Sequence, residues 1–128
     1  TSGTFSGLVK ASKHQQTLLG FPALKGDFFS AQIATYTTKS NWDLSNYHFG
    51  GYAKYNLDLI QFINEFKRKY GIQLDPIYTA KMMYGIFDLI KTGYFSKNTR
   101  ILAIHTGGLQ AIDGFNKRLA QKNDLQLI

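Results

Sequence analysis

Apolar residues recur along this chain in two rhythms, one helical and one extended. Between Asn56 and Gly71, the positions Leu59, Ile60, Ile63, Phe66 and Tyr70 form one apolar stripe at the 3.6-residue period. Asn56 suits an N-cap and Gly71 suits the left-handed stop, so the spacing predicts a helix between them. A second helix is predicted from the polar turn Asp75-Pro76-Ile77-Tyr78-Thr79 to near Gly93. It carries Met82, Met83, Ile86, Phe87, Leu89 and Ile90, apolar on several sides, which predicts deep burial. Phe28, Phe29, Ile33 and Tyr36 predict a shorter helix over residues 28–37. A short helix is expected over Gly7 to Lys13, and a tail helix from about Leu109 to Leu119.

Three short apolar runs fit strands. Thr17 to Pro22 suits a buried strand, Trp42-Asp43-Leu44 a brief one, and Arg100 to Ile104 a third. The third runs straight into His105-Thr106-Gly107-Gly108. Residues 36–46 are rich in Thr, Ser and Asn and remain ambiguous. Helices alternating with short strands imply an α/β fold with a mainly parallel sheet flanked by helices. There is no internal repeat and no linker.

Composition narrows the setting. At 128 residues the chain has the length of one domain, and its 44% hydrophobic content fits a globular fold. No apolar run approaches the ~18–20 residues of a membrane span, and no signal-peptide pattern is present. The chain has no cysteine, which excludes disulfides and thiolate metal sites and suits a reducing compartment. A cytoplasmic location without membrane association is expected. The net charge of +7 raises the question of nucleic acid. The lysines are scattered, however, and the densest run, Lys67-Arg68-Lys69, ends a predicted helix where cations suit the dipole. A solvated helix end is the favoured reading, with no nucleic acid as partner. The opening Thr1-Ser2-Gly3-Thr4-Phe5-Ser6-Gly7 reads like a functional loop from the middle of a protein. This predicts that residues 1–128 are the C-terminal portion of something longer.

Three segments could carry chemistry. The opening loop presents hydroxyls and backbone N–H groups ahead of a helix, which suits a phosphate. An ordinary helix cap fits the same pattern. Tyr78-Thr79 stands at a helix start stiffened by Pro76, where capping and packing are the alternative. His105-Thr106-Gly107-Gly108 follows an expected strand, at the end of which ligands gather in open α/β sheets; a plain strand-to-helix turn is the alternative. The aromatic turn Tyr47-His48-Phe49-Gly50-Gly51-Tyr52 also suits a site wall. Other chemistries find little support. His14, His48 and His105 lack metal-type spacing, no Gly-x-Ser-x-Gly elbow occurs, and no Walker loop is present. Met82-Met83 reads as core.

Together these segments resemble the pyridoxal-phosphate enzymes of the 1-aminocyclopropane-1-carboxylate deaminase and D-cysteine desulfhydrase group, of the tryptophan-synthase-β-like fold type II. Thr1 to Leu8 resembles the family's G-T-G-G-T-x-A-G-L phosphate loop, with Ser2 and Ser6 at a Gly and an Ala. Phe49-Gly50-Gly51-Tyr52 is similar to G-P-x-Y-G, with Tyr52 on the active-site tyrosine. Asp75 to Lys81 resembles D-P-V-Y-[TE]-G-K, and Ile104 to Gly108 resembles I-H-T-G-G. Ala80 departs from the usual Gly, and Tyr47-His48-Phe49 is unlike the deaminase loop.

The resemblance covers essentially the whole chain but about the second half of the family's length. It implies that residues 1–128 are the C-terminal portion of the large cofactor-binding domain. The Schiff-base lysine would lie in the missing half, and Lys81 is not read as the cofactor anchor. The chain alone is therefore expected to be inactive. The implied cofactor is pyridoxal 5′-phosphate, with Ser2, Gly3 and Thr4 at its phosphate. Thr79 would face the pyridine nitrogen, and Thr106 and Gly107 would line the pocket beside it. Tyr52 and Tyr78 would border a small amino-acid substrate, Tyr78 being the better candidate for handling a proton. The family's deaminases carry Glu and Leu at the positions of Thr79 and Thr106. The threonine pair resembles the D-cysteine desulfhydrase type, since a neutral hydroxyl at the pyridine nitrogen can leave it unprotonated. The resemblance also implies a homodimer. The alternatives are an aminocyclopropane-carboxylate deaminase, a non-catalytic relative that keeps the fold, and a basic polyanion-binding module.

Overall fold

A computed structural model describes residues 2–128 of the chain. In order, the elements are α1 (Gly3–Ala11), β1 (Leu18–Gly20), α2 (Phe28–Ala34), β2 (Trp42–Leu44), α3 (Leu57–Tyr70), α4 (Thr79–Lys91), a 3-10 turn (Leu109–Ala111) and α5 (Ile112–Gln121). β1 and β2 pair in parallel, with Leu18 opposite Trp42 and Gly20 opposite Leu44. Parallel neighbours need a crossover between them, and α2 lies in that crossover. The α/β class expected from the pattern is what forms.

The main core is helical. Leu59, Ile60, Ile63 and Phe66 of α3 pack with Leu74, with Ala80 of α4, and with Phe115 and Leu119 of α5. Leu127 of the C-terminal tail closes this cluster. The predicted ends of α3 hold. The Asn56 side chain accepts the Leu59 N–H at 3.0 Å, and Gly71 adopts φ +69°, where a Cβ would be strained. The basic residues after Glu65 close that same helix. Lys67 Nζ donates to the Ile128 carbonyl, and Lys69 lies over the Tyr70 ring. None of the described helices is long and apolar enough to cross a membrane.

Three expectations are corrected. Residues 100–104 form no strand among the described residues, and Ile101, Leu102 and Ile104 are exposed, Leu102 at 84%. A strand exists only through its hydrogen-bonded neighbour, and among the described residues only β1 and β2 pair. The opening segment is helical from Gly3, four residues earlier than expected, so Gly3 to Ser6 are the first turns of α1 rather than a loop. α4 is buried on one side only: Ala80, Lys81, Gly85 and Ile86 are covered while Phe87 and Ile90 are exposed.

Candidate functional site

The turn that starts α4 is built around one carboxylate. Asp75 is fully buried. Its Oδ1 accepts the N–H groups of Ile77 (2.9 Å) and Tyr78 (2.8 Å). Its Oδ2 accepts the Thr79 N–H (2.8 Å) and the Thr79 hydroxyl (2.6 Å). The Ile77 and Tyr78 amides lie in the turn leading into α4 and the Thr79 amide opens that helix, so no helical carbonyl one turn back accepts them. The Thr79 hydroxyl in turn accepts the Asp75 N–H at 2.9 Å. Asp75 and Thr79 thus cap each other, and Pro76, which has no N–H, fits between them. The carboxylate also places Tyr78, whose ring is held out at the surface, 45% exposed.

Two further segments close on this turn. Gly108 adopts φ +88°, and a Cβ there would fall 2.9 Å from Asp75 Cγ. The 105–108 turn therefore lies directly over the Asp75 carboxyl. His105 fastens it: Nδ1 accepts the Gly107 N–H at 3.1 Å, so Nε2 carries the proton and donates to the Gln73 carbonyl at 2.9 Å. Thr106 is exposed at the crest of this turn.

The aromatic loop approaches from the other side. Phe49, Gly50 and Gly51 all have positive φ and turn the chain tightly. Lys81 of α4 is buried, and its Nζ donates to the carbonyls of His48 (2.9 Å) and Gly51 (2.7 Å). Burial pushes the ammonium down to about 8, against the upward pull of Asp75. The loop ends with Tyr52 set edge-on to Tyr78, the ring centroids 6.2 Å apart. Tyr78 is raised above the ordinary tyrosine value, chiefly by its interaction with the Tyr52 hydroxyl, then by loss of solvent and the nearby charge of Asp75. It stays a neutral proton donor throughout the neutral pH range.

Tyr52, Tyr78, Thr79, Thr106 and Gly107 thus gather on three touching segments. The opening segment stands apart from them but is linked. Ser2 Oγ donates to Gln32 of α2 at 3.2 Å, and the backbone at Lys25, before α2, packs close to Gly51. Thr1, the first residue of the expected phosphate loop, lies outside the described residues. Asp75, Lys81 and Gln73 were given no role from the sequence. An Asp followed by Thr four residues later at a helix start was the signal for the first. Nothing in the sequence marks the burial of the second.

The residues present fit a pyridoxal phosphate. The amides of Gly3 and Thr4 lie in the first turn of α1, whose end favours an anion. Gly3 and Thr4 are exposed, and nothing lies within 4 Å of a Cβ built on Gly3. The Ser6 hydroxyl, one turn further on, is buried with no hydrogen-bond partner among the described residues. Among those residues no group of three acidic or histidine side chains is placed to hold a metal ion.

The fold and these turns define an α/β domain, and comparison with known proteins places it among relatives. The chain is homologous to 1-aminocyclopropane-1-carboxylate deaminases. It is 38% identical over 77 residues to a Pyrococcus horikoshii protein provisionally named as one, a match covering 60% of this chain and 23% of that protein. The 1-aminocyclopropane-1-carboxylate deaminase of Bradyrhizobium sp. ORS 278 is 33% identical over 73 residues, covering 57% and 22%. A crystal structure of an ACC deaminase homologue superposes with a TM-score of 0.77 and 26% identity, over 94% of this chain and 39% of that one. No protein-family model matches the chain. The chain spans less than a quarter of the length of the curated relatives it matches. The resemblance read from the motifs is borne out.

Proposed function

We propose that residues 1–128 form the C-terminal portion of the cofactor-binding domain of a pyridoxal-phosphate enzyme acting on a small amino acid. The observation that carries this reading is the meeting of the Tyr52, Tyr78–Thr79 and Thr106–Gly107 segments around Asp75, in a chain homologous to the deaminases. When bound, the cofactor supplies an electron sink for bonds at the amino acid's α-carbon. Gly3 and Thr4 would bind its phosphate through their amides, with Ser2 and Ser6 beside them. Thr79 and Thr106 would line the pyridine ring, and Tyr52 and Tyr78 would border the substrate. Tyr78, kept neutral, would hold or deliver a proton at its hydroxyl.

The favoured reaction is elimination from D-cysteine, which with water yields pyruvate, ammonia and hydrogen sulfide. Thr79 and Thr106 support it, because neither places a carboxylate at the pyridine nitrogen. The hydroxyl proton of Thr79 is given to Asp75 in this structure, so donating it to a pyridine nitrogen would require the hydroxyl to turn away from that carboxylate. Aminocyclopropane-carboxylate deamination is the second reading, favoured by the names of the relatives. The complete enzyme is expected to be a homodimer, with neither nucleic acid nor membrane as partner.

Assays of the complete, cofactor-loaded protein on both substrates separate the readings. Faster turnover of D-cysteine is expected, with a loss of about tenfold or more in kcat/KM for the Thr79→Glu, Thr106→Leu variant. Efficient consumption of the cyclopropane substrate with no action on D-cysteine would assign the chain to the deaminases instead. No visible absorption from bound cofactor would point to the non-catalytic relative.

A further inference from the structure

We propose that Lys81 is a positioning residue for the tyrosine pair, tying the loop that carries Tyr52 to the helix end that carries Tyr78. Lys81 is only 1% exposed, in the first turn of α4. A lysine is rarely buried so completely unless its ammonium is matched by acceptors. Here the acceptors are two main-chain carbonyls, those of His48 and Gly51. They straddle the glycine turn, and Tyr52 is the next residue after Gly51. Tyr78 stands three residues before Lys81, at the N-cap of α4. One ammonium thus spans both backbones from which the pair projects.

The rest of the cluster supports the same role. The Tyr78 N–H is fixed by Asp75, whose charge also steadies the ammonium. The loop has other ties, since the Tyr47 hydroxyl donates to Asp88 and Phe49 stands edge-on to Tyr84, both on α4, and Arg118 donates to the Ala53 carbonyl. Between Gly50 and Tyr52, however, only Lys81 among the described residues reaches the backbone from α4; Gly50 donates to the His48 ring and Gly51 to the His48 carbonyl, bonds that shape the turn without attaching it. Tyr52 is 52% exposed, so packing alone does not fix its ring. Without Lys81, the half-buried His48 carbonyl and the buried Gly51 carbonyl would lose charge-assisted bonds, and Tyr52 would drift from Tyr78. The reactive role of the pair rests on the function proposed above; the tether itself does not.

The test compares Lys81→Met, which fills a similar volume without donors, with the unchanged complete protein. Amide hydrogen exchange over residues 48–54 is expected to speed by about tenfold or more, with α3 unchanged. One tyrosine should titrate closer to its ordinary value in an alkaline absorbance titration. The kcat for the amino-acid substrate should fall about tenfold, with cofactor affinity within about twofold of the parent. Lys81→Arg, which keeps donors, should recover part of the exchange protection. If Lys81→Met does not fold, Lys81→Gln carries the same readouts. Unchanged loop exchange and unchanged tyrosine titration in a folded variant would overturn the tether. A loosened loop with an unchanged kcat would overturn the positioning role. If the parent protein turns over neither substrate, the functional reading fails, while exchange and titration still decide the tether.

Discussion

Replacing Asp75 with alanine is expected to destabilise the protein by about 4 kcal/mol, measured by denaturant unfolding. The change leaves four donors without their acceptor: the amides of Ile77, Tyr78 and Thr79, and the Thr79 hydroxyl. All four surround a fully buried carboxyl, so water does not simply take its place. The start of α4 should fray, and Tyr78 should lose its fixed position. Asp75→Asn should cost about half as much, since one oxygen still accepts while the new amide meets donors. Activity should fall further than stability alone explains, because Tyr78 and Thr79 both hang on this cap. An alanine variant as stable as the parent would mean that the cap is not what holds the turn.

Gly108→Ala is expected to cost about 3 kcal/mol. Two effects add. The residue sits at φ +88°, a conformation costly for any side chain, and the new Cβ would fall 2.9 Å from Asp75 Cγ and 3.1 Å from Oδ2. The carboxyl cannot yield, being fixed by its own four donors, so the 105–108 turn must move. Its displacement would carry Thr106 and Gly107 away from Thr79. Gly107→Ala is the control. It shares a positive φ of +90°, but nothing lies within 4 Å of its Cβ, so it should cost about 1 kcal/mol. Equal losses for the two would show that backbone strain alone is at work and that the turn does not bear on Asp75.

Local pattern made much of this structure legible. α3 could be placed to the residue because an apolar stripe, an amide cap and a left-handed glycine agree at one place. The two paired strands were legible as short apolar runs between polar turns. The segment Ile101-Leu102-Ala103-Ile104 looks the same in sequence and forms no strand here. Apolar residues say that a segment can be buried in a sheet; only a neighbouring backbone makes it one. The start of α1 was misplaced for another reason. Glycine and serine disfavour a helix by about 1 kcal/mol or less each, which burial of Val9 readily offsets.

The segments of the candidate site were legible in sequence but their connections were not. The motifs named Tyr52, Tyr78, Thr79 and Thr106, and homology to the deaminases agrees with the family they suggested. Sequence did not reveal that Thr79 spends its hydroxyl on Asp75, or that Gly108 rests on the same carboxyl. Nor did it reveal that Lys81 spans to the aromatic loop. The Gly108 and Lys81 contacts join residues 30 to 33 positions apart, where no local pattern reaches. Asp75 and Lys81 are thus the two charged groups around which the expected site residues are arranged.

A crystal structure of the complete protein with pyridoxal phosphate bound tests the central claim most directly. The cofactor's phosphate should lie within about 3 Å of the Gly3 or Thr4 amide nitrogens. Its ring should rest against Thr79 and Thr106, with Tyr78 facing the open, substrate side. A cofactor seated elsewhere, with the Asp75–Thr79 and His105–Gly108 turns away from it, would contradict the account.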